Sequence, residues 1–185
     1  MLKKLLLVTV SVAGLAVVGP ITVAYADNSG TVMTGADQAA LDAQVAAVEA
    51  LVTQYQNDPD GLQAAIENLV VGATDPETTG NAVLIVFDNS QNPAIRAILA
   101  NNAGLAGAGG RGLGAAIATL GVTDPDLAAR MAANVSTKGG TSFVASVQQG
   151  SDTRTASIQQ KNNSDTNANG TQNSSSTPET PASAS

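Results

Sequence analysis

The sequence predicts an all-α fold: a small bundle or short helical repeat of five to six Ala-rich helices within residues 37–136. Three observations predict it. One apolar stripe with helical spacing runs through the first segment after the leader. An Asp-Pro or Asn-Pro device then recurs along the chain. Finally, a segment that ends in Asp-Pro echoes itself about fifty residues later.

The first predicted helix covers Asp37–Gln56. Leu41, Val45, Val48, Val52 and Tyr55 follow one another at steps of 4, 3, 4 and 3, which gathers them on a single helix face. Leu51 widens that face, and the flanks are Ala, the strongest helix former. Two heptads are few for a coiled-coil seam, so the segment reads as the core helix of a small bundle.

Asp58-Pro59-Asp60, Asp75-Pro76-Glu77 and Asp124-Pro125-Asp126 share one pattern, with Asn92-Pro93-Ala94 as a relative. Asp or Asn caps a helix N-terminus, and Pro suits the first helical position, where its missing N–H costs nothing. A following acid faces the positive end of the helix. New helices are therefore predicted near 59, 76, 93 and 125. Gly72 and Gly121 read as the stops of the helices before two of them. Ala64–Glu77 and Ala115–Asp126 resemble each other across a two-residue gap, which fits a duplicated short-helix unit.

Asn81–Phe87 (NAVLIVF) is short and β-branched, as a buried strand would be, but it follows a helix start and reads as a buried helix. Leu105–Gly114 is Gly-rich and reads as a loop or a loosely packed turn. Residues 137–160 read as a linker or a β-hairpin. Phe143, Ala145 and Val147 alternate, Gly150-Ser151-Asp152 is a turn signal, and Arg154–Gln160 would be the return strand. Residues 161–185 are Asn, Ser, Thr, Pro and Gly with almost no apolar side chains. They cannot offset their ordering entropy and are expected to be a disordered polar tail.

The chain opens on an export pattern. Lys3 and Lys4 precede an apolar run from Leu5 to Gly19, Pro20 breaks it, and Ala24-Tyr25-Ala26 offers small residues at a cleavage site. Residues 1–26 are read as a Sec signal peptide cut after Ala26, with 27–36 as a polar lead. No Cys marks a lipoprotein anchor and no twin Arg marks the Tat route. The expected location is the periplasm or the extracellular space.

After that cut the chain keeps six Lys and Arg against fifteen Asp and Glu, a net charge of −9. It has no basic footprint for nucleic acid or anionic lipid. The absence of Cys excludes disulfides, thiolate metal sites and cysteine nucleophiles, and the absence of His removes the commonest general base and metal ligand. Tyr55, Phe87 and Phe143 are the remaining aromatics, too few for a stacking platform.

Four segments bear on chemistry. Gly107–Gly112 matches G-x-G-x-x-G, but a dinucleotide site needs a strand before it and a helix start after it. Gly110 and Gly114, continued by Ala118, have the small-residue spacing that lets helices approach closely, and packing within the domain is the expected use. Gln56–Glu67 overlays a calcium loop, with Asp58, Asp60, Gly61 and Glu67 in place. However, Gln56 replaces the first carboxylate and Pro59 announces a helix. Glu49 and Glu67 are the helical carboxylates an acid–base enzyme would use, and neither lies in a motif. Serine chemistry would need a Lys base, and neither Lys138 nor Lys161 follows a Ser-x-x-Lys pattern. No catalytic, cofactor or metal residue is therefore assigned.

Ser142, Gln148-Gln149-Gly150 and Gln159, eleven residues after Gln148, resemble a single curlin-type amyloid repeat. The resemblance covers about 18 residues and implies a β-solenoid unit with stacked Gln ladders. Thr153 and Thr155 stand where that family has Asn and Ala. The reading as a whole expects an exported, non-catalytic interaction or structural protein with a protein partner, no nucleic acid and no stable membrane insertion. The alternatives are a component of a curlin-like β-assembly and a carboxylate-dependent envelope enzyme.

Overall fold

The computed structural model describes the backbone of residues 34–170 and the side chains of residues 34–164. The expected signal peptide at 1–26, most of the expected polar lead at 27–36 and residues 171–185 of the expected tail lie outside the described residues. Within them the fold is all-helical, with α1 (Gly35–Gln54), α2 (Pro59–Val71), α3 (Pro76–Asn89), α4 (Pro93–Asn101), α5 (Ala103–Thr123), α6 (Pro125–Lys138) and α7 (Thr141–Gly170).

Four helices begin at the prolines. Asp58, Asp75, Asn92 and Asp124 cap α2, α3, α4 and α6, and each side chain accepts from a backbone N–H of the first turn. Those N–H groups have no partner inside the helix, so the cap stabilises each start by about 0.5–2 kcal/mol. α1 starts two residues before the expected Asp37 because Thr34 and Asp37 form a reciprocal capping box. Asn81–Phe87 lies inside α3, with Ala82, Val83, Leu84 and Val86 buried.

Two regions depart from the sequence expectation. Leu105–Gly114 is the first half of α5 and not a loop. Glycine costs about 1 kcal/mol against Ala in a helix, but Gly109, Gly110, Gly112 and Gly114 are buried here, where neighbouring helices come too close for a side chain. α5 also runs through Gly121 and ends at Thr123, where Asp124 closes it and opens α6. Thr141–Gln160 is the body of α7, so the linker or hairpin reading is corrected, and Lys161–Gly170 continues that helix. Phe143 and Val147 are buried one turn apart, while Ala145 between them is exposed. The alternation that suggested a strand is carried by side chains on different helix faces.

The helices form two layers. α5 packs between α2 and α7, while α3 packs between α1 and α6. Neighbours within a layer run in the same direction. Gly110 lies against Ser146, Gly114 against Ser151, and Thr119 bonds Arg154. Gln63 bonds Arg111, and Glu67 bonds Thr119. Glu77 meets Arg130, and Asn81 meets Asn134. The partners joining α2 to α5 and α3 to α6 stand 48 to 53 residues apart in sequence. The internal echo runs from Ala64 to Ala115 and from Asp75 to Asp124, offsets of 51 and 49. The two echoing segments thus occupy equivalent places side by side, as stacked units of a helical repeat do. Between the layers lies the core, in which Val48, Val52, Leu62, Ile66, Val70, Val83, Leu105 and Leu113 are fully buried.

Candidate functional site

Glu67, one of the two helical carboxylates that the sequence offers for acid–base work, sits on α2 facing α5 and α7. Its Oε1 accepts from Arg154 Nη2 at 2.9 Å and from Thr119 Oγ1 at 3.2 Å, and Arg154 Nε donates to Thr119 Oγ1 at 3.0 Å. The three side chains close a triangle across three helices, with Glu67 only 18% exposed. A carboxylate bonded in this way ties helices together, and a charge-assisted pair of this kind is stronger than a neutral one. Glu49 is engaged elsewhere: its Oε2 accepts from Asn92 Nδ2 at 3.0 Å, joining α1 to the start of α4. The structure therefore gives the two sequence candidates separate partners and does not bring them together.

The calcium-like overlay dissolves into a helix. Asp58 Oδ1 accepts from Gly61 N at 2.9 Å as a cap, α2 begins at Pro59, and Glu67 lies two turns further on with Arg154. Gly107–Gly112 likewise lies inside α5, where backbone N–H groups bond to carbonyls four residues back and present no anion cradle.

The small-residue spacing of α5 is used for packing. A Cβ on Gly114 would collide with the Val147 carbonyl of α7, and one on Gly150 with the Arg111 carbonyl of α5. On another side of α5, a Cβ on Gly112 would stand 2.7 Å from the Gln63 carbonyl of α2. Beside that contact, Arg111 Nε donates to Gln63 Oε1 at 2.9 Å. Arg111, which interrupts the apolar run in sequence, becomes an interhelix tie.

One edge of the molecule collects negative charge. α1, α3 and α6 run side by side, so their N-termini bring Asp37, Asp75, Glu77, Asp124 and Asp126 to the same edge. The Thr78 hydroxyl, donating at 2.6 Å, holds the Asp75 carboxyl below its ordinary value, with partial burial working against it. The Thr34 hydroxyl lowers Asp37 in the same way, and the negative charge of Asp75 opposes that shift. Arg130 reaches Glu77 at 3.4 Å. Val71 and Val122, the large apolar side chains exposed at 37% and 66%, close α2 and α5 at this edge.

Sequence reasoning missed Arg154 and Thr119. The available signal was the series Phe143, Val147, Gly150, Arg154 and Ile158, at steps of 4, 3, 4 and 4, which lays Arg154 on the buried face of a helix. The eleven-residue echo from Ala145–Gln149 to Ala156–Gln160 also fits three helical turns. Among the described residues, no helix is long and apolar enough to cross a membrane. No protein-family model, curated protein or solved structure matches this chain.

Proposed function

We propose that the chain is an exported, non-catalytic interaction or structural protein of the bacterial envelope or extracellular space. The observation that carries the non-catalytic half is the engagement of Glu67 by Arg154 and Thr119. Glu49 and the capping aspartates are held in the same spirit. The Lys3-Lys4, Leu5–Gly19 and Ala24-Tyr25-Ala26 pattern supports export.

The acidic edge supports a protein partner. Exposed apolar side chains between carboxylates suit a partner surface that carries apolar and basic side chains together. Asp126 and Val122 are exposed, so replacing them leaves the core intact. The test is crosslinking in the producing cells, comparing the wild type with Asp126→Lys and Val122→Asp. A crosslinked species that both substitutions abolish, with helicity unchanged, supports the reading. Crosslinking indifferent to both refutes this edge as the docking surface.

A further inference from the structure

A depression of about 300 Å³ opens where α3 ends and α4 begins. That volume is at the lower bound of small-molecule sites, about 300–1,000 Å³. Val86, Phe87 and Leu99 give it an apolar lining, and Asp88, Ser90 and Arg96 give it polar groups. Arg96 is exposed, and its guanidinium makes no hydrogen bond or ion pair among the described residues. Asp88, of opposite charge in the same depression, does not pair with it: Asp88 Oδ2 accepts from Gly140 N at 3.0 Å and from Asn89 Nδ2 at 3.3 Å. Ser90 is 8% exposed, and its Oγ accepts from Asn92 N at 3.3 Å. A hydroxyl also donates, and no acceptor for Ser90 is found among the described residues.

From this arrangement we propose that the depression binds a free amino acid with an apolar side chain. The carboxylate meets the Arg96 guanidinium and the Ser90 hydroxyl. The ammonium meets Asp88, and the side chain lies on Val86, Phe87 and Leu99. Guanidinium–carboxylate bonding is the strong, planar kind. The two opposite charges, lining one depression and unpaired with each other, match a ligand that carries both. A long peptide presents its two charged termini far apart, which favours the free amino acid. This inference stands apart from the proposed protein partner, whose edge lies at the other end of α3.

Isothermal titration of the purified protein with leucine tests it, alongside N-acetyl-leucine, which lacks the ammonium, and leucine amide, which lacks the carboxylate. Saturable binding of leucine is expected, weakened about tenfold or more by Arg96→Met and by either analogue. Circular dichroism on Arg96→Met serves as the folding check, and Ser90→Ala is a second variant expected to weaken binding. Absence of saturable leucine binding at millimolar concentration would overturn the proposal. So would leucine binding unaltered in folded Arg96→Met, or equal binding of N-acetyl-leucine.

Discussion

Gly114, Gly150 and Gly121 all lie inside helices, yet their surroundings demand opposite responses to the same substitution. A Cβ at Gly114 or Gly150 meets backbone of the facing helix, which cannot swing aside as a side chain can. Ala at either position is expected to cost about 1–3 kcal/mol through overpacking, more than the helix propensity it adds. At Gly121 the nearest atom is Ala128 Cβ at 3.7 Å, an ordinary contact. Gly121→Ala is expected to stabilise by about 0.5–1 kcal/mol. Urea unfolding of the three variants checks both signs. This contrast also explains why Leu105–Gly114 reads as a loop from sequence. Its glycines are poor helix formers locally, and the neighbours that make them necessary come from Gln63 and Val147, far away in the chain. The four Asp-Pro and Asn-Pro starts were legible because cap and proline act within one turn, with an acid following at three of them. Asp75 adds a pH dependence. Its folded pKa lies below the ordinary 3.8, so its contribution is present above that value and lost as pH falls through the folded value. Asp75→Asn keeps a competent cap and removes the titration. Stability measured from pH 7 downward is expected to fall less steeply below about pH 4 in the variant.

α7 is held to α5 by close backbone approach and to α2 and α5 by Arg154. Arg154 is 41% exposed, so solvent screening limits the pair. A double-mutant cycle with Glu67→Gln and Arg154→Met is expected to give a coupling under about 1 kcal/mol. Amide exchange should grade along the helix. Protection is expected to be strongest from Phe143 to Arg154, where the buried face meets α5, and weakest beyond Ile158, where residues 159–164 are exposed. Uniform rapid exchange across Phe143–Arg154 would contradict the docked helix. The hairpin reading of this element failed because helix and strand share features over short stretches. Phe143 and Val147 satisfy both period 2 and the helical i, i+4 step. Length decides between them, and the stripe continuing through Arg154 and Ile158 belongs to a helix. A curlin-like use of this segment would require α7 to leave α5 and refold.

At the scale of the whole molecule, two layers of parallel neighbours explain why the same short device recurs in the sequence. The Asp75-Pro76 and Asp124-Pro125 starts return the chain from one layer to the other at the acidic edge, and the echo at 49–51 residues sets equivalent helices side by side. The helical class, the starts and the echo were legible because they rest on local chemistry and periodicity. The order of packing was not, because it rests on which small residues face one another across helices. The Glu67 tie was illegible for the same reason: its partners Thr119 and Arg154 lie 52 and 87 residues away. The proposed function rests first on export, and the N-terminus of the mature protein is where export is tested most directly. Intact mass measurement of the protein recovered outside the inner membrane is expected to show a chain beginning at Asp27. A full-length chain retaining Met1, confined to the cytoplasm, would contradict the account.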